Sequence, residues 1–248
     1  MGKQTAVING ISRLCIELGL STCAIMVIEA VYLPHNEPYL GRAQLLEFDK
    51  AIPAAMQLNM AVAARTFEIK MSPQQAAVSE IVPQGISIAL SVRELIRQGY
   101  LFSATIPLRP LLERTALVFY LLDTPAAVTA WHDGWPRSDQ PSLPKLIEHL
   151  LSRAGKSGTS GAKELATMLH KVVHSDPMAA HWNTTSKHGR VAYASGKTID
   201  APDVADFCAV FGSRCLQHLV GAADSAFPEI ASSANSSLHT DAPKAARP

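Results

Sequence analysis

Arg109 and Glu113 stand one helical turn apart in the run LRPLLERTALVFYLLD, residues 108–123. Apolar residues point almost all the way round this helix, the pattern of a helix buried on every side. Arg109, Glu113 and Tyr120 nevertheless share one narrow stripe of it. Charges are rarely buried unless paired, because desolvating a lone one costs several kcal/mol. The spacing therefore predicts an Arg–Glu pair inside the core. Two roles fit such a pair. A guanidinium is a planar fork that grips a phosphate or carboxylate, which would make this a site. An ion pair can equally fix the register of a helix bundle and bind nothing.

His170 and His174 are also one turn apart, a spacing that can hold a metal when a third ligand is near. Asp176, His181 and His188 are close in sequence. Both histidines, however, lie opposite the apolar stripe of their helix and in its last turns, where the helix dipole alone favours histidine. Lys171 stands where a zincin carries its glutamate. The pattern assigns no metal and no cofactor.

Other groups have simpler readings. Arg214 and His218 share a face of the last helix, with Phe207, Phe211 and Cys215 flanking His218. A partly buried histidine satisfied by a backbone carbonyl explains them. Gly155-Lys156-Ser157 invites a phosphate-loop reading, but Leu150 stands where the first glycine is needed, and the preceding residues look helical rather than extended. No Ser-His-Asp elbow and no dinucleotide fingerprint occurs. The WHDGW segment, residues 131–135, reads as a fixed loop or a pocket wall.

The elements that must position these residues are helices. Residues 3–32 predict one, closed by Pro34 and Pro38. Residues 41–70 predict a second, kinked or split by Pro53. Ser72-Pro73 starts a third, a polar cap followed by proline in the first turn, running toward Gly99 with interruptions open at Pro83 and Gly85. Pro107 and Pro110 mark the start of the buried helix. Residues 126–131, 143–153 and 162–174 predict further helices. Residues 177–199 are irregular, and 191–193 with 197–199 predict a small hairpin around Ser195-Gly196. Asp200 is expected to cap a last helix through Ala226, with Asp203 favourable in its first turn.

Composition agrees. Apolar residues make up 48% of the 248-residue chain and charged residues 17%, which supports a substantial core and argues against global disorder. Few aromatics and abundant Ala and Leu favour helices. A net charge of +1 gives no strong field to draw in nucleic acid or an anionic membrane, although a local basic patch stays open. Cys15 and Cys23, and Cys208 and Cys215, are spaced by about two helical turns, as small buried hydrophobes in a reducing compartment would be rather than a zinc knuckle. The apolar run 18–28 is bracketed by Glu17 and Glu29 and is too short for a bilayer, which needs about 20 residues. The expectation is a cytoplasmic protein with a single all-α domain over residues 1–230. It would be a helical bundle with a small irregular or hairpin-like insertion near residues 177–199 and a disordered tail at 231–248.

The run from Leu95 to Leu122 resembles a bacterial family of helical proteins designated only as domains of unknown function. Its first signature is a helix ending in glycine, then Ala, then Arg-x-Leu-x-Glu and an apolar helix ending in Tyr-Leu. Gly99, Ala104, Arg109, Leu111, Glu113, Tyr120 and Leu121 match it. The second is a helix ending in Val-His followed by a small polar stretch, matched by Val173-His174-Ser175-Asp176. The likeness spans about residues 80–220, and Pro110 departs from the pattern. The family is similar in architecture to HEPN-type domains, many of them ribonucleases or toxins in defence systems. Their signature, an arginine followed four to six residues later by histidine, has no match, since only three residues separate Arg214 from His218.

The resemblance implies that His174 approaches the Arg109–Glu113 helix. It also implies a defence- or stress-related protein acting on RNA or nucleotide. Arg109 would then hold a phosphate, His174 would be the acid or base, and Glu113 would orient the arginine. The alternative is a non-enzymatic bundle that contacts other proteins, with Arg109 and Glu113 as a structural network. A metal-dependent hydrolase using His170, His174 and Asp176 is a third reading. The partner, RNA, nucleotide or protein, is left open, as is a homodimer; no membrane role is expected.

Overall fold

In the computed structural model, residues 31–136, 138–155, 159–174, 176–177, 179, 184–187, 190–193, 196–198 and 200–230 are described. The expected helix over 3–32, Cys15, Cys23, Lys156, Ser157, His181, His188 and the tail at 231–248 lie outside them. Contacts divide the chain into Met1–Val31 and Tyr32–Pro248, and every element below belongs to the second unit.

Eight helices and one small hairpin occur among the described residues. The helices are α1 (Ala43–Thr66), α2 (Pro73–Arg97), α3 (Leu101–Thr105), α4 (Leu108–Asp123), α5 (Pro125–His132), α6 (Leu143–Arg153), α7 (Thr159–Val173) and α8 (Pro202–Ala226). The protein is all-α. None of these helices is long and apolar enough to cross a membrane. Four of them, α1, α2, α4 and α8, enclose the core, and α6 and α7 pack on α4 and on each other.

Local chemistry sets the ends of these helices. The Ser72 hydroxyl accepts from Gln75 N at 3.2 Å while the Gln75 side chain accepts from Ser72 N at 2.9 Å, a reciprocal cap with Pro73 in the first turn. Neither Pro83 nor Gly85 interrupts α2, and α1 continues through the solvent-exposed Pro53. Gly85 instead creates room: a Cβ there would stand 2.4 Å from Leu219 Cδ1 of α8. Gly212 does the same on α8, where a Cβ would stand 2.4 Å from the buried Phe48 ring of α1. The two glycines let α8 press against both neighbours.

Two local expectations are corrected. The hairpin pairs Thr184–Lys187 with Arg190–Tyr193, not 191–193 with 197–199. Thr198 has other bonds: its N–H donates to Gly99 O at 2.8 Å, and its carbonyl accepts from the Tyr39 hydroxyl at 2.5 Å. Those bonds hold the segment against the end of α2, so it cannot be a strand. Burial pushes the Tyr39 phenol up to about 12. The second correction is at α8. It begins at Pro202 after Ala201, with no side-chain cap from Asp200, although Asp203 does sit in the first turn.

One ionic network is sealed into the fold. Arg93 of α2 donates to both Glu37 oxygens at 2.9 and 2.7 Å and to both Asp49 oxygens at 2.5 and 3.0 Å. The Glu37 side chain is 1% exposed and that of Arg93 14%. Burial alone would lower the arginine's pKa, but the two carboxylates more than offset it and raise it. The network ties the 31–42 loop and α1 to α2. Arg42 then bonds to Asp206, joining the same loop to α8.

Candidate functional site: an arginine shared by two histidines

Pro107 precedes α4 and Pro110 lies in its first turn, where neither needs a backbone N–H. That start places Arg109 at the end of the helix, and Glu113 follows one turn later. The Arg109 Nε donates to Glu113 Oε1 at 3.3 Å. The pair is not buried, contrary to expectation: a quarter of the Arg109 side chain and a third of that of Glu113 are exposed. The physical reason is tertiary. The remaining faces of α4 are covered by α2, α8 and α6, and only α7 comes near this edge.

What α7 brings there is its polar end. His170 lies in its last turn and His174 just beyond it, both exposed. Arg109 Nη1 stands 3.0 Å from His170 Nδ1 and 3.2 Å from His174 Nε2, and the two rings lie with centroids 4.1 Å apart and planes tilted by 39°. Nη1 carries two hydrogens and can donate one to each ring. A guanidinium only donates, so the facing ring nitrogen of each histidine is the acceptor side of these contacts. Among the described residues Arg109 Nη2 has no hydrogen-bond partner. Glu113 is also within 3.7 Å of Arg114, whose Nε faces Gln84 at 3.4 Å.

Beside this cluster runs an open groove of about 480 Å³, with walls from Ile106, Pro107, Pro110 and Val173 and with Arg109, Glu113 and His174 at its polar side. The three residues singled out in the sequence therefore meet. His170 was read there only as a metal ligand, and its place in the cluster was missed. Among the described residues no three His, Cys, Asp or Glu side chains converge as metal ligands. One nitrogen of each ring, Nδ1 of His170 and Nε2 of His174, faces the Arg109 guanidinium.

Tyr120, the third residue of the stripe, stands elsewhere. Its ring meets His149 and Trp135 edge-on, at 5.4 and 6.4 Å. Trp135, alone of the WHDGW segment, also lines a small cavity of about 100 Å³ with Glu113, Arg114 and Leu117. Next to Tyr120, Asp123 Oδ2 lies 2.8 Å from His149 Nε2, and Asp123 also accepts from Arg153. Burial acts to raise the Asp123 pKa, but the bonds from Arg153 and His149 prevail and hold it below the usual value. This Asp–His–Arg group was not foreseen. An acidic residue ending one helix and a His-x-x-x-Arg spacing in α6 were its only signals.

Cys208 and Cys215 are free and buried, as their spacing implied, and burial pushes both thiols up to about 12. The helix α6 before Gly155 confirms that no strand precedes that loop. No family model, no curated protein and no solved structure matches the chain.

Proposed function

We propose that the Arg109–Glu113–His174 cluster, extended by His170, is a site for a phosphate-bearing ligand, either RNA or a nucleotide. One observation carries this reading. The Arg109 guanidinium is partly exposed beside a groove, meets a ring nitrogen of each histidine with Nη1, and keeps Nη2 without a partner among the described residues. In the proposed site Arg109 grips the phosphate, and Glu113 sets the plane of the guanidinium. His174 is the acid or base, because an anion that draws the guanidinium away frees ring nitrogens to take a proton. The resemblance adds a cytoplasmic bacterial protein of defence or stress response. The missing HEPN-type Arg–His spacing weighs against a HEPN-type ribonuclease.

The rival reading is a scaffold, and one observation favours it: the same bonds tie the end of α7 to α4. Titration of the full chain with a nucleoside triphosphate and with a short RNA separates the two, when melting temperature is followed in parallel. Arg109→Lys keeps the charge and loses the planar grip. It is expected to weaken binding at least about tenfold with the melting temperature unchanged. His174→Ala should leave folding intact and abolish any turnover or biological effect. A folded His174→Ala protein with full activity removes His174 from the site. Binding that falls only in step with stability leaves the scaffold reading.

A further inference from the structure

Helices α6 and α7 lean on α4 and on each other rather than on α8. A wedge is left between this helix pair and α8, and it forms a half-open cavity of about 250 Å³. Its walls are hydrocarbon: Leu112 of α4, Leu150 of α6, Leu165 of α7, and Phe207 and Phe211 of α8. The two phenylalanine rings stand 5.9 Å apart. Only two of its lining side chains, Arg214 and His218, can carry a positive charge, and they are the pair noted in the sequence. The cavity shares no lining residue with the Arg109 site.

The state of that polar pair is informative. Arg214 donates to Gln217 at 3.1 Å, and no carboxylate pairs with it among the described residues. Other arginines of this fold, Arg42, Arg65, Arg93, Arg97, Arg109 and Arg153, each have a carboxylate. Burial, and then the neighbouring Arg214, lower the pKa of His218, so its ring is neutral near pH 7. The rim thus presents one uncompensated cation and one neutral imidazole over a hydrocarbon cavity. Such a pocket fits a ligand with one anionic head and an apolar body.

We infer that this cavity is a binding site for a medium-chain monocarboxylate, with the hydrocarbon between α6, α7 and α8 and the carboxylate on Arg214. Size sets the chain length. A cavity of about 250 Å³ equals about eight water volumes at about 30 Å³ each, and a methylene takes up about as much space as a water molecule. About eight carbons fill it. A long-chain lipid would leave most of its tail in water.

Octanoate, octanol and octylamine, each below its micelle threshold, test this on the full chain by calorimetry and melting temperature. Octanoate is expected to bind one-to-one and to raise the melting temperature, octanol to bind about tenfold more weakly, and octylamine not to bind. Arg214→Gln should reduce octanoate to the level of octanol and leave octanol unchanged. Leu165→Phe fills the cavity and should remove both; Leu165→Met, with nearly the same volume, is the folded control and should keep both. Equal binding of octanoate and octylamine, or an Arg214→Gln variant that binds octanoate as the wild type does, overturns the assignment of the head group. Undiminished octanoate binding to a folded Leu165→Phe variant, or no octanoate binding at all, overturns the site.

Discussion

Arg93 and Arg109 both sit on core helices and both bond to glutamate, yet they are opposites. Arg93 makes four bonds to two carboxylates, and its Glu37 partner is nearly sealed from water. Arg109 has one carboxylate at 3.3 Å, two histidine rings, and an open edge. A guanidinium bound by two carboxylates, one of them buried, serves the scaffold. One with spare donors and weaker partners has room for a ligand. Burial and bond satisfaction, more than the presence of an Arg–Glu pair, are what distinguish the two arginines.

The sharpest way to break this contrast is to remove each arginine. Arg93→Met strands Glu37 in the core and should cost about 3–5 kcal/mol in urea unfolding, and adding Glu37→Leu should return much of it. Arg109→Met should cost less than about 1 kcal/mol, since its partners are exposed. Equal losses at the two positions would erase the distinction.

A smaller effect sharpens it further. Glu113→Ala is expected to cost under about 1 kcal/mol, against the several that a buried pair would show. A large loss in the denaturation midpoint would mean that the stripe is sealed after all.

The smallest effect concerns Asp123, whose side chain is as exposed as that of Glu113. Its folded pKa lies below its unfolded value, so its contribution is complete above the unfolded value, near 3.8, and is lost as pH falls through the folded one. Asp123→Asn should lower stability at pH 7, where the carboxylate's contribution is complete, and change it little in acid, so the profile flattens below about pH 4. An unchanged acid limb would show that Arg153 and His149 do not act on it.

Local chemistry was well written in the sequence. Ser72-Pro73 marks the start of α2, Leu143 and Arg153 bound α6 as expected, and the apolar run after Leu108 is indeed a core helix. What failed was anything decided by distant partners. Arg93 meets Glu37 and Asp49 across 56 and 44 residues, and no periodicity reveals that. The Arg109 stripe was read as buried because its neighbours in sequence are apolar; whether a fourth helix covers that edge is a matter of packing. His170 could be placed on the polar side of α7, but not against an arginine 61 residues away. The hairpin was shifted because Thr198 bonds to Gly99 and Tyr39, which no turn signal encodes.

The contact of Gly212 with Phe48 has a consequence for recognising relatives of this chain. A methyl group at 212 would overlap a fully buried ring, and overpacking of that kind costs about 1–3 kcal/mol. A related sequence can therefore carry alanine or serine at 212 only if position 48 shrinks in step. Gly212→Ala should be partly rescued by Phe48→Leu, although that second change alone is destabilising. Positions 48 and 212 thus share one volume in this fold, and a change at either is coupled to the size of the other.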